Sequence, residues 1–582
     1  MTKRMKNSMK IPTALTTLIF MMVFSGCDSR PGVPTVNGQS FSGKSGPSAN
    51  TTAAAGGMTT GNYGGLACPN KETHRGIRSW RRLSNIEIKN TVDAVFGSPT
   101  DVDYSSFIND ISKAEVFDTS MSVGNYVSTN RLKGYFTFAE SLAKGVTINK
   151  LFPCLAKGRS CISSSLATLG AATWRRPLTS DELNRLTAVY DQLMTDGYAS
   201  EAAARLVIEA LVLSQEFLYR SELGVQLADG TYELTDYELA SALSYATIRT
   251  VPDAELKSLA DKKMLRDSAT LAKQATRLLN LPAAKSAWKD FAGQWLQADG
   301  VLDAAKTQTA FTDTVKTKLS DEMKNFFVDT MFSATKKTYD QLLLADYTVG
   351  DNSSAFIYGG TVAGGKIQFK ETQRKGLLGQ AGFLASAAVA DTTNPIKRGV
   401  FILSRLMCSG FAPAPATTFP TVKSGLSTKE LFQQHSQGSC ASCHKFIDDF
   451  GFALENFDEI GKFRDNDAGA AIVIKSNVTI DGKELAIASP DELSNALAHS
   501  SQAMECYARQ TFRYTLGRLE YAAVPIIGGT PAEDKTTESQ LDKCQIQDVA
   551  SAVEANGGDL KTAFVELVSN PGFRLRLAGP GN

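Results

Sequence analysis

Helix-start boxes, in which a serine or threonine stands three residues ahead of a glutamate, recur along this chain, and five of them are Ser84/Glu87, Thr179/Glu182, Thr235/Glu238, Ser427/Glu430 and Ser489/Glu492. Each pair can close a capping box, the hydroxyl accepting from the third helical amide and the carboxylate from the cap's own amide. Pro490, directly after Ser489, stands at a first helical position, where the missing N–H costs nothing. Apolar residues follow at helical spacing, as in Leu206, Ala210, Leu213, Phe217 and Leu218. Helix is therefore the expected currency of the fold. Strand signals are few. Ala471–Asp481 alternates β-branched residues and ends in the turn pair Asp481-Gly482, and the Gly-rich stretch Tyr347–Phe369 predicts a loop with short strands. At 582 residues the chain exceeds what one core holds. The expected class is mainly α: several helical domains in tandem with a small β insertion.

The remaining composition narrows the setting. Hydrophobic residues make up 43% and charged residues 21%, an ordinary globular mix, and the net charge of +1 lacks the basic excess of a nucleic-acid binder. Lys3, Arg4, Lys6 and Lys10 precede a short apolar run, Ala14–Phe24, and the small residues Ser25-Gly26 lead into Cys27. That order reads as an export signal, and the run is too short to span a bilayer. The segment Val23–Cys27 resembles a bacterial lipoprotein cleavage box. The resemblance implies that Cys27 becomes the first mature residue, carries a lipid and anchors the chain to a membrane of the cell envelope. The alternative is an ordinary cleaved signal, with Cys27 an unrelated thiol. Residues 28–66, rich in Gly, Ser, Thr and Ala, cannot bury enough surface to order and read as a tether.

Cys440-Ala441-Ser442-Cys443-His444 carries the chemistry. In a Cys-x-x-Cys-His run two thiols add across the two porphyrin vinyl groups, and the adjacent histidine lies under the iron. One covalent haem c is the expected cofactor, attached through Cys440 and Cys443 and ligated by His444. A zinc site would need His435 as a fourth ligand, and no second Cys-x-x-Cys pair exists. A redox disulfide would need a βαβ context that the pattern lacks. The second axial ligand decides between electron transfer and substrate chemistry. Beyond His444 the candidates are Met504, which could equally fill core, and His499, read as a surface residue. Phe446, Phe450, Phe452 and Phe457 could wall the porphyrin or simply fill the core. The pairs Arg81-Arg82 and Arg175-Arg176 could meet propionates or a partner, with carboxylate pairing the plainer role.

Nine cysteines include Cys27 and the two of the motif, leaving six in an exported chain. An even remainder predicts disulfides. Cys154 and Cys161 pair as near neighbours in a loop, Cys506 and Cys544 bracket one helix–loop unit, and Cys68 with Cys408 follows by elimination. Free buried thiols are the other reading.

Cys443-His444-Lys445, followed by Gly451-Phe452-Ala453-Leu454-Glu455-Asn456-Phe457-Asp458 and then Gly461 and Arg464, resembles the exported multi-domain proteins of unknown function, abundant in planctomycetes and myxobacteria, that carry a planctomycete-type cytochrome c motif. Arg81–Ser84, Trp174–Thr179, Ser214–Arg220, Leu234–Ala240, Phe291–Leu296, Pro395–Gly399 and Tyr514–Arg518 extend the likeness over about residues 75–577. Composition, loop signals and the resemblance together set the expected organisation: a signal peptide (1–27), a linker (28–66), helical domains at 67–150, 165–225 and 233–360, a c-type haem domain at 372–470 and a C-terminal helical domain at 485–577. Relatives carry a proline after the first post-haem aspartate, where this chain has Asp448-Asp449. They often carry a histidine just before the Pro395–Gly399 run, where this chain has Ala390–Asn394. The function expected is an envelope-anchored mono-haem cytochrome-like lipoprotein that transfers electrons to a partner. A haem oxidase or peroxidase acting on an extracellular polymer or small molecule, and a scaffold with structural haem, are the alternatives.

Overall fold

The computed structural model describes residues 76–110, 116–121, 127–157, 159–333, 335, 337–411, 427–433, 440–520, 526–527 and 537–577. The expected export signal, Cys27, the tether, Cys68 and His435 lie outside these residues. The chain is mainly helical with several small sheets.

Four of the five capping boxes close. Ser84/Glu87, Thr179/Glu182 and Thr235/Glu238 exchange both bonds at the heads of helices Asn85–Phe96, Ser180–Thr195 and Asp236–Ile248. Ser427/Glu430 does the same before Thr428–Gln433. At Pro490–Ala498 the Ser489 hydroxyl makes no cap bond, and the Glu492 carboxylate instead accepts from the Ala488 amide at 2.7 Å. The apolar stripe expected from Leu206 to Leu218 is interrupted. Helix Ser200–Val212 ends there, and Ser214 caps a separate short helix, Gln215–Leu218. The face actually buried is Ala203, Ala204, Val207, Ile208, Leu211 and Val212.

Two large apolar cores organise the helices. The first takes in Thr129–Gly145, Arg159–Trp174, Ser180–Thr195 and Ser200–Val212, joining residues on both sides of Cys154 and of Cys161, the latter in the first turn of Arg159–Trp174. The second takes in Phe117 and residues from Leu234 to Phe573. Trp288, Phe291, Trp295 and Tyr514 form its aromatic centre, with ring centroids 5.2–5.9 Å apart. A smaller cluster gathers Phe311, Ile357, Tyr358 and Ile460.

Short sheets tie distant segments together. Gly76–Ile77 runs parallel to Leu575–Leu577, which is antiparallel to Tyr232–Glu233, and Ser79–Arg82 is antiparallel to Tyr219–Glu222. Where these seams meet, the buried Glu222 carboxylate binds Arg576 at 2.7 Å and Arg81 at 3.4 Å. Burial pushes that carboxyl up, but the surrounding guanidinium groups outweigh it and hold it at about 2. Tyr347–Val349, Lys366–Gln368 and Thr361–Ala363 make a three-stranded sheet in that order, as the Gly-rich stretch predicts. Ser476–Ile480 pairs with Lys483–Ile487 around Asp481-Gly482, both at positive φ as a tight hairpin turn requires.

Cys154 is bonded to Cys161. The other pairing differs from expectation: Cys408 is bonded to Cys506, so neither Cys506–Cys544 nor Cys68–Cys408 forms. Cys506 lies on helix Ser501–Leu516 and is turned inward against the segment after Ile402–Leu406, while Cys544 belongs to a different disulfide. Among the described residues no helix is long and apolar enough to cross a membrane.

Candidate cofactor site

The site is built on two crossed helices, Pro395–Phe401 and Ala441–Phe452. Asn394 caps the first, its side chain accepting from the Lys397 amide at 2.9 Å, and Pro395 takes the first helical position. The helices touch backbone to backbone at two glycines. A Cβ on Gly399 would strike the Ile447 carbonyl, and one on Gly451 would strike the Pro395 carbonyl. The fully buried Arg398 then fastens the far end. Its guanidinium donates to the carbonyls of Leu454, Phe457 and Asp458 at 2.7–2.9 Å. Past Phe401 the helix widens into a π-helical turn, Ile402–Leu406, that delivers Cys408 to its disulfide.

Cys440 precedes the second helix as its cap, and Cys443 and His444 occupy the first turn. Neither thiol is disulfide-bonded. The Cys443 Sγ donates to the Ile527 carbonyl at 3.8 Å, and Ile526–Ile527 pairs with Gly410–Phe411 just after Cys408. The His444 Nδ1 lies 2.9 Å from Asp448 Oδ1, one turn along the same helix, with the two side chains 19% and 8% exposed. That hydrogen bond raises the imidazole pKa, and partial burial opposes it. A carboxylate on Nδ1 fixes the tautomer and leaves Nε2, which bonds to no described residue, as the ligating atom. The donor set fits a covalent haem: two thiols one turn apart and a histidine with one nitrogen held and the other open.

The chain matches three families of unknown function. PSD5 (DUF1595) matches residues 161–222, PSD4 (DUF1592) matches 234–359, and PSCyt3 (DUF1588) matches 374–467. These are planctomycete cytochrome-c-like domain families, in keeping with the multi-domain proteins of unknown function that the motifs resemble. No curated protein and no solved structure matches the chain.

The PSCyt3 segment contains the whole Cys440–His444 run together with Arg398, Gly399 and Gly451. Within it Arg374 plays a part like that of Arg398, donating to the Gly379 and Gly461 carbonyls while its guanidinium stacks 4.5 Å over Phe457. Phe450, Phe452 and Phe457 are buried among core side chains, and Phe446 is half-buried beside Lys445. Thr393, in the Ala390–Asn394 stretch ahead of the first helix, donates its hydroxyl to the buried Glu455 carboxylate at 2.8 Å, and Arg464 donates to the same carboxylate at 2.9 Å.

Met504 is half-buried in the first turn of Ser501–Leu516, packed against the large core and two residues from the disulfide at Cys506. His499 is exposed and bonds to the Asn495 carbonyl. His435 lies outside the described residues, and among those residues no group of three or more His, Cys, Asp or Glu is placed to hold a metal ion. The arginine pairs are committed within the fold: Arg82 to Asp110 at 2.7 Å, Arg176 to Glu182 at 2.7 Å, and Arg175 to the carbonyls of Glu216 and Tyr219. Sequence reasoning missed Asp448 as the partner of His444. The i, i+4 spacing on one helix was the available signal.

Proposed function

We propose that this chain is a mono-haem c-type cytochrome-like protein, exported and held at the cell envelope by a lipid on Cys27, that transfers electrons through a haem at Cys440–His444. The observation that carries the reading is the pairing of two unbridged thiols in one helical turn with a histidine whose Nδ1 is held by Asp448. Cys440 and Cys443 would hold the porphyrin through thioether links, and His444 Nε2 would bind the iron. The bound haem would supply a one-electron couple. Asp448 keeps the proton on Nδ1, the crossed glycine contacts fix the helix, and Met504 would be the second residue to hold the iron.

A second reading, a haem oxidase or peroxidase, draws support from the same Asp448 carboxylate, which makes the histidine a more basic ligand. Optical spectra of the oxidised and reduced protein separate the two. Electron transfer predicts a methionine–iron charge-transfer band that disappears in Met504→Ala. A high-spin spectrum that changes with peroxide would instead support the enzyme and overturn the first reading.

A further inference from the structure

Away from the haem motif, the segments carrying Trp80, Trp174, Tyr219 and Tyr237 converge on an open cleft of about 390 Å³. It lies where the two large cores adjoin, since Trp174 and Tyr219 pack on the first and Tyr237 on the second. Clefts of this size at such junctions are typical small-molecule sites. The fold accounts for most of the polar groups around it. Arg175 is spent on backbone carbonyls and Arg176 on both Glu182 oxygens. Glu238 accepts from the Leu223 and Thr235 amides and the Ser221 hydroxyl.

Three polar groups remain available. Among the described residues Arg78 bonds only through Nε, on the Leu223 carbonyl at 2.8 Å, and its guanidinium lies 3.7 Å over the Tyr232 ring. The Glu216 carboxylate makes no hydrogen bond to a described side chain or amide. Ser241 lines the cleft and is only 5% exposed, and its hydroxyl oxygen, itself almost wholly covered, bonds to no described residue. A buried hydroxyl left unpaired costs about 1–3 kcal/mol, so its persistence at the floor of a cleft marks a place for a ligand's polar atom.

The unspent groups are one cation, one anion and one hydroxyl, so the cleft carries no net demand for charge. Flat aromatic walls favour an apolar ring face, while the remaining donors and acceptors favour hydroxyls at its edge. A pyranose ring presents both. We infer that this cleft binds a neutral oligosaccharide, with the indole of Trp174 against a sugar face and the Ser241 hydroxyl, Arg78 and Glu216 bonding to sugar hydroxyls. The inference stands on the cleft alone and does not depend on haem.

The test uses the full exported chain as purified, titrated with cellohexaose, xylohexaose and mannohexaose, and with oligogalacturonate as the anionic comparison. Tryptophan fluorescence and calorimetry report binding. Saturable binding of a neutral hexasaccharide is expected, weakened at least tenfold in Trp174→Ala. Ser241→Ala removes a hydroxyl that bonds to no described residue, so it is expected to weaken binding several-fold while leaving the melting temperature unlowered. This second variant keeps the test decisive if Trp174→Ala folds poorly. No binding of any neutral probe at millimolar concentration, binding untouched by Ser241→Ala, or binding of oligogalacturonate alone and only at low salt would each overturn the inference.

Discussion

The His444 imidazole donates through Nδ1 to the Asp448 carboxylate at 2.9 Å, across one turn of a single helix. With a haem iron on His444, as proposed, a carboxylate there would stabilise the oxidised, more positive centre over the reduced one. Asp448→Asn keeps an acceptor but removes the charge. The difference between a charged and a neutral hydrogen bond is about 1 kcal/mol, which for one electron corresponds to a rise of roughly 40 mV in reduction potential. Redox titration of both proteins checks this, with the haem content of each measured alongside. An unchanged potential at full haem content would remove Asp448 from the account.

Gly451 lets the haem-motif helix rest on the Pro395 carbonyl. Gly451→Ala forces the helices apart, and overpacking of this kind is expected to cost on the order of 3 kcal/mol. Thermal unfolding measures it. Gly469→Ala is the comparison, because nothing lies near its added methyl, although its positive φ adds a modest strain.

The Cys408–Cys506 bond closes a separation of 98 residues. Cross-links of that span restrict the unfolded chain strongly, so Cys408→Ser together with Cys506→Ser is expected to lose roughly 3–5 kcal/mol. The same change frees the helix that carries Met504. A shift of the haem spectrum toward high spin is therefore expected with it, read at a temperature where the variant is still folded.

Glu322 is buried between the Ser354 and Tyr358 hydroxyls, and burial raises its pKa from 4.5 to about 7. The folded chain thus binds this proton more tightly than the unfolded chain does. Its contribution to stability is complete below 4.5, falls as the pH rises towards 7 and stays low above that. Glu322→Gln mimics the protonated side chain. Its melting temperature should equal the parent's at pH 4 and exceed it at pH 8, by an amount equivalent to up to ~3 kcal/mol. Equal melting temperatures at both pH values would contradict the assignment.

What the sequence disclosed followed from local chemistry. The boxes at Ser84, Thr179, Thr235 and Ser427 closed because both bonds lie within four residues of backbone, and the Asp481-Gly482 turn formed because its conformations suit those residues. The box at Ser489 did not close, since Glu492 found the Ala488 amide instead. The stripe through Leu213 was misjudged because Ser214 starts a new helix, and a periodicity count cannot see a cap that interrupts it. The partner of Cys506 was beyond reach for a different reason. Proximity in sequence favoured Cys544, while the packing of Ser501–Leu516 on the π-helical turn brought Cys408. The Cys440–His444 run was legible as a motif. The aromatic cleft was not, because Trp80, Trp174 and Tyr237 come from separate segments and meet only through the fold.

The central claim is a haem joined to Cys440 and Cys443. The most direct measurement is the intact mass of the full chain made in a bacterium with working cytochrome c maturation, before and after acid–acetone extraction. One added haem that survives extraction, is retained in Met504→Ala, and is lost when both cysteines become serine is the predicted result. Colourless protein at the mass of the polypeptide alone, or haem that extraction removes, would contradict the account.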